Sequence, residues 1–102
     1  MASKKKTVEQ QPYVVCRGNI SGVTVGYLVS KDVTEIHLRE ARQVWEWYGP
    51  ETTSGLARLG PGPGSKIDAA APMRSLLRVD IASIDTCTPE AAALFAASVW
   101  TK

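Results

Sequence analysis

The sequence has few of the residues from which metal and disulfide sites are built, and it has no long apolar run. Among 102 residues there are two cysteines and one histidine. Two cysteines are too few for a secreted disulfide scaffold, and no pair of ligands has the spacing of a zinc site. The longest apolar stretch, around residues 91–97, is too short to cross a bilayer, and no apolar segment follows the lysine-rich start. We therefore predict no metal, no cofactor, no signal peptide and no membrane contact.

An excess of charge of one sign is also lacking. The 12 Lys and Arg residues stand against 10 Asp and Glu residues, so the formal net charge is only +2. The small excess lies in residues 1–12, which contain Lys4, Lys5, Lys6 and Glu9. Binding along nucleic acid depends on many cationic contacts, which the neutral remainder does not offer. We interpret residues 1–12 as a basic flexible tail whose lysines make contacts outside their own domain, with at most weak attachment to nucleic acid.

Residues 13–102 are predicted to form a single α+β domain, because strand patterns dominate the first half and a helix closes the chain. Apolar and β-branched residues favour strands at 13–16, 20–30 and 33–38, joined by short turns as an antiparallel meander. The glycines at 22 and 26 indicate a bulge or twist in the second strand. The fold class is therefore a small antiparallel sheet with one or two short helices and a C-terminal helix.

Residues 39–48 fit either a helix or a strand, and we favour a helical turn at 39–43 followed by a strand at 44–48. A two-turn helix is expected at 52–59, burying Leu56 and Leu59, before an exposed Gly-Pro loop at 60–64. A short edge strand is expected within 66–70. The alternation of residues 76–84 predicts one strand with Leu77, Val79 and Ile81 on one face.

The final helix has a clear start signal. Thr88 can cap the free amides, Pro89 suits the first helical position, and Glu90 suits the positive helix end. We expect the helix to run to about residue 99, with Trp100 closing an edge or meeting a neighbour.

The segment 39–48 carries the strongest candidate for a binding site. It contains Arg39, Arg42, Trp45, Trp47 and Tyr48. Arginine and tryptophan together occur in nucleotide pockets, but the same residues dominate protein interfaces, and tryptophan also fills cores. These three interpretations stay open, with the expectation that one tryptophan lies in the core and the other contributes to assembly.

No arrangement in the sequence indicates catalysis. His37 is expected on the polar face of a strand, with no nucleophile and orienting acid suggested around it. The loop at 60–64 lacks the amide donors and the lysine position of a phosphate loop. Cys16 and Cys87 are interpreted as buried thiols, with a disulfide as the alternative. We therefore predict that the protein is not an enzyme.

Three motifs point to a source. They are GYLVS at residues 26–30, LREARQVWEW at 38–47 and CTPEA at 87–91. This pattern resembles a family of small proteins encoded by tailed bacteriophages and prophages, over most of residues 13–100. The Gly-Pro loop and the alanine-rich last helix depart from the family pattern. The resemblance implies a phage origin and brings no catalytic residues with it.

Together these observations favour a virion structural or accessory protein, of the kind that decorates a capsid or tail. It would associate with other virion proteins or with copies of itself, after synthesis in the host bacterial cytoplasm. The alternative is a non-structural phage protein that binds a host nucleotide signal or a host protein.

Overall fold

The computed structural model describes residues 11–98. The expectations for Lys4, Lys5, Lys6 and Trp100 lie outside the described residues. Within this range the chain forms six strands, two α-helices and one turn of 3-10 helix. In order, they are β1 (Tyr13–Gly18), β2 (Gly22–Lys31), β3 (Glu35–Glu46), α1 (Thr53–Leu59), β4 (Lys66–Ile67), β5 (Ala71–Leu77), the 3-10 helix (Arg78–Asp80), β6 (Ile81–Thr86) and α2 (Pro89–Ala97).

The sheet confirms the predicted α+β fold with an antiparallel meander. Strands β1, β2 and β3 pair in sequence order, β6 pairs with the free side of β1, and β4 and β5 share the outer side of β3. Strands β5 and β6 therefore lie on opposite sides of the meander although only three residues join them. This short link requires the sheet to curl, so that its concave face becomes a second core.

The prediction of a single strand at 76–84 is wrong. Strand β5 ends at Leu77, and the chain turns through the 3-10 helix before β6 begins at Ile81. The expected faces are wrong too, because Leu76 is buried whereas Leu77 and Val79 are exposed. A run of alternating residues looks the same whether one strand contains it or two strands divide it.

The prediction of a helical turn at 39–43 is also wrong, because β3 continues through this segment to Glu46. Between the pairs Val25–Arg42 and Tyr27–Arg39, β3 contains one residue more than β2. The bulge includes Glu40, whose φ of 53° is left-handed. Opposite it lies Gly26, where an added Cβ would stand 3.0 Å from the Arg39 carbonyl oxygen. The predicted irregularity near Gly26 therefore exists, with the extra residue in the neighbouring strand.

Each face of the sheet covers its own apolar cluster. The face beneath the helices buries Tyr13, Val15, Val25, Val44, Leu56, Ala57, Ile67 and Phe95. The concave face buries Val14, Cys16, Leu28, Ile36, Leu38, Ala41 and Leu76. Because both faces are covered, β1 is apolar at consecutive positions.

The helices begin where the sequence predicts. The hydroxyl oxygens of Thr52 and Thr88 accept from the amides of Gly55 and Ala91, which caps α1 and α2. Leu56 is buried as expected, but Leu59 is exposed. The prediction of an exposed loop at 60–64 is wrong for the first two residues of the loop. These two residues are buried beside α2. In residues 11–98 no helix has the length and apolar character needed to span a membrane.

Candidate functional site

Arg42 is a buried structural residue. The bulge in β3 places its side chain beneath α2, where only 8% of the residue is exposed. Its Nε donates to the Asp68 carbonyl at 2.6 Å, Nη2 to the carbonyls of Ile67 at 3.2 Å and Ser98 at 2.8 Å, and Nη1 to that of Phe95. The cation thus satisfies carbonyls at the negative end of α2 and beside β4. All three nitrogens are engaged, so Arg42 is not available to a nucleotide.

Arg39 lies apart from Arg42 and is also engaged. Its guanidinium carbon lies 4.3 Å from the centre of the Tyr27 ring, a cation–π contact. Nε donates to the Gln11 side chain at 3.0 Å, and Nη1 pairs with the Glu40 carboxylate. The two arginines therefore do not form the shared phosphate fork that a nucleotide pocket at this segment would need.

The aromatic residues of this segment also separate. Strand β3 ends at Glu46, so the strand expected at 44–48 includes Trp45 but stops before Trp47 and Tyr48. Trp47 packs against the helix-side cluster and donates from Nε1 to the Pro50 carbonyl at 2.7 Å. Trp45 and Tyr48 are half exposed, and the Tyr48 hydroxyl contacts Glu46 at 3.0 Å.

This separation predicts unequal effects of the two tryptophans on stability. We expect Trp47→Ala to lower the free energy of unfolding by about 2–3 kcal/mol, because it removes core contacts and a hydrogen bond. Trp45→Ala should cost less than about 1 kcal/mol, as is usual for an exposed side chain. Urea unfolding of both variants measures the difference, and equal losses would contradict the assignment of Trp47 to the core.

The structure brings together three residue types of a catalytic triad that the sequence did not suggest. His37 Nδ1 lies 2.7 Å from Ser75 Oγ across the β3–β5 pair, and its Nε2 lies 3.7 Å from Asp32 Oδ2. The latter distance is too long for a hydrogen bond. Asp32 Oδ1 instead accepts from Thr34 and Glu35 in the β2–β3 turn. We interpret the cluster as a stabilised turn and a cross-strand pair.

Both cysteines are free thiols in the structure. Burial raises the pKa of Cys16 to about 11 and that of Cys87 to about 12. Neither thiol is therefore activated as a nucleophile. Among the described residues, no group of three His, Cys, Asp or Glu side chains is arranged to hold a metal ion.

An apolar tip surrounds the short link between β5 and β6, which contacts both of the first two turns. It consists of Ile20, Val33, Leu77 and Val79, which are 93%, 89%, 61% and 88% exposed. Ile20 lies in the β1–β2 turn and Val33 in the β2–β3 turn, whereas Leu77 ends β5 and Val79 lies in the link from β5 to β6. Single exposed aliphatic residues are common, but four on adjoining loops form a patch of the kind found at interfaces.

Hydrogen bonds hold the three loops of the apolar tip together. Asp80 accepts from the backbone amides of Ile20 at 2.7 Å and Ser21 at 3.0 Å, and from the Ser21 hydroxyl at 2.8 Å. The amide of Arg78 donates to the Thr34 carbonyl, which joins the second turn to the same link. The exposed side chains thus stand on a fixed framework, which lowers the entropy cost of binding a partner.

The apolar tip is not evident from the sequence. The predicted strands at 20–30 and 33–38 include Ile20 and Val33, and the predicted strand at 76–84 places Val79 on one face with Leu77 and Ile81. The only signal available was the placement of branched apolar residues beside the turn residues at 18–19 and 31–32. That signal does not show that the two turns and the 78–80 link meet.

Comparison with known proteins identifies a family. The sequence model of a domain of unknown function, DUF6948, matches residues 11–95. Because the match covers most of the chain, the protein belongs to this family. No curated protein and no solved structure matches the chain.

Proposed function

We propose that this member of the DUF6948 family acts by protein–protein association, as a structural or accessory subunit of a phage particle. The phage setting comes from the three sequence motifs at residues 26–30, 38–47 and 87–91. The mode of action comes from the apolar tip, which is the single observation that carries the proposal. The contact surface would be a hydrophobic patch on a neighbouring subunit of the particle.

The chemistry of the apolar tip supports association. Its side chains are branched and aliphatic, and they gain free energy when a partner removes them from water. The carboxylates beside them, Asp32 and Asp80, already accept hydrogen bonds from the loops. These two carboxylates therefore keep their hydrogen bonds when a partner covers the aliphatic groups.

The alternative of nucleotide binding through the 39–48 segment is less well supported. It requires Arg39 and Arg42 to act with the tryptophans, whereas Arg42 is buried on four carbonyls and Trp47 packs in the core. Association with a host protein uses the same kind of surface and becomes an outcome of the test.

The test is incorporation into particles. We expect mass spectrometry of purified particles to find the protein at a fixed ratio to a major structural subunit. The double variant Ile20→Asp/Val79→Asp should fold normally, because both side chains are exposed, and should be incorporated at least about tenfold less. The loss follows from placing two charges in an apolar contact.

The matched control is Met73→Asp, which changes a half-exposed apolar residue in the middle of β5, away from the apolar tip. It should be incorporated like the unchanged protein. Absence of the protein from particles would contradict the virion proposal. Equal incorporation of the tip and control variants would show that the apolar tip is not the contact.

A further inference from the structure

A pocket of about 460 Å³ opens beside the apolar tip, between the β1–β2 turn and β5. Its apolar lining comes from Ile20, Leu76 and Leu77, and its polar lining includes Ser21, Arg74 and Asp80. Volumes in this range accommodate small molecules or one or two side chains of a peptide. The pocket shares Ile20 and Leu77 with the apolar tip, but the proposed association does not use Arg74.

Arg74 is oriented by two polar neighbours on the concave face of the sheet, Gln43 and the buried Thr24. Its Nη1 donates to Gln43 Oε1 at 2.8 Å and to Thr24 Oγ1 at 3.3 Å. Gln43 is itself fixed, because its Nε2 donates to the carbonyls of Ser21 and Val23, both at 3.0 Å. Thr24 is fully buried. One end of the guanidinium is therefore held rigidly by the fold.

The other side of the Arg74 guanidinium is available. Within residues 11–98, Nε and Nη2 make no hydrogen bond and the cation has no ion-pair partner. Every buried side-chain nitrogen in that range has a partner, so these two nitrogens reach solvent. The N–H bonds of Nε and Nη2 point in parallel, which is the arrangement that binds the two oxygens of a carboxylate.

Asp80 restricts which anion the pocket can accept. Its two oxygens already accept three bonds from the 20–21 turn. The amide and hydroxyl of Ser21 are the main groups that lower the pKa of Asp80, so this carboxylate remains charged at neutral pH. A fixed negative charge in the pocket disfavours a dianionic phosphate and tolerates a monoanion better. The aliphatic lining favours an anion with an apolar body.

We propose that this pocket binds a carboxylate carrying an aliphatic group, with its two oxygens on Nε and Nη2 of Arg74. Two sources have this chemistry, a free small carboxylic acid and the C-terminal carboxylate of a peptide with an aliphatic last residue. Arg74 supplies recognition of the carboxylate, and Leu76, Leu77 and Ile20 supply the apolar contact. The site overlaps the apolar tip at Ile20 and Leu77, but its recognition of a carboxylate rests on Arg74 and does not require incorporation into particles.

NMR titration of the isolated full-length protein tests the proposal. The probes are sodium butyrate, the dipeptide acetyl-Ala-Leu with a free carboxylate, the same dipeptide as its amide, and sodium phosphate. We expect butyrate and the free dipeptide to cause saturable shifts of the Arg74 Nε–Hε signal and of the Ser21 and Leu77 amides. Tighter binding of the dipeptide indicates a peptide ligand, and equal or weaker binding indicates a small acid.

Variants separate recognition by Arg74 from nonspecific attraction. Arg74→Gln should weaken butyrate binding by at least about tenfold, because it removes the charge and the paired donors. Arg74→Lys keeps the charge without the paired geometry and should also bind more weakly. Arg58→Gln, a change at an exposed position on α1, should bind like the unchanged protein.

Several outcomes would overturn the proposal. They are the absence of saturable shifts with both carboxylates, equal binding of the amide or of phosphate, and undiminished binding by Arg74→Gln. The shifts of the unchanged protein locate the site directly, so the result does not depend on whether a variant folds. Because no particle is involved, failure of this proposal would leave the association proposal standing, and the reverse also holds.

Discussion

Replacing Phe95 with alanine should lower the free energy of unfolding by about 3–5 kcal/mol. Within residues 11–98, Phe95 is the largest fully buried side chain, and it joins α2 to the sheet. Its ring lies 5.7 Å from that of Tyr13, which in turn meets Tyr27 edge to face at 4.9 Å. Alanine would leave a cavity between helix and sheet that close packing cannot easily fill. Urea unfolding measures the loss.

Two controls define the cause of this loss. Leu94→Ala removes the neighbouring side chain of the same helix, which is 46% exposed, and should cost about 1 kcal/mol or less. Phe95→Leu keeps most of the apolar volume and should cost about 1–1.5 kcal/mol. If Phe95→Ala were no more harmful than Leu94→Ala, α2 would not be packed on the sheet in this register.

Replacing Arg42 with methionine should lower the free energy of unfolding by about 3 kcal/mol. Methionine retains much of the side-chain length but donates no hydrogen bond. The carbonyls of Ile67, Asp68 and Ser98 would each lose the donor that Arg42 provides. The C-terminal end of α2 would also lose its compensating positive charge. For a domain of this size, the thermal midpoint should fall by roughly 15 °C.

Two further variants are compared with Arg42→Met: Arg42→Lys and Arg39→Met. Arg42→Lys keeps a cation, but the single lysine nitrogen cannot reach the four carbonyls that the three arginine nitrogens contact. About half of the loss in unfolding free energy should therefore remain. Arg39→Met removes a cation–π contact and a partly exposed ion pair and should cost about 1 kcal/mol. Calorimetric melting of the three variants would contradict the structural role of Arg42 if Arg39→Met proved the more harmful change.

Local signals in the sequence determined where the two helices begin and that the first part of the chain forms strands. The caps Thr52 and Thr88 were visible because capping depends on residues within one helical turn. The β1–β2–β3 meander was visible because short turns place successive strands side by side. The α+β class follows from these same signals, since an alternating first half and a capped last helix need no long-range information.

The positions of β5 and β6 in the sheet were not determined by local sequence. Residues 76–84 alternate as one strand would, yet they divide between opposite sides of the meander. The choice depends on the pairing of β5 with β3 and of β6 with β1, over long separations in the chain. Those pairings alone bring the link that carries Val79 into contact with the turns that carry Ile20 and Val33.

The roles of the arginines were decided only by tertiary structure. The sequence grouped Arg39 with Arg42, but the extra residue at Glu40 and the position of α2 give them different surroundings. Arg74 had no sequence signal, because Thr24 and Gln43, which orient it, come from β2 and β3. A cation is structural or free to bind a ligand according to which carbonyls and side chains surround it. Those neighbours are assembled by strand register, which local sequence does not encode.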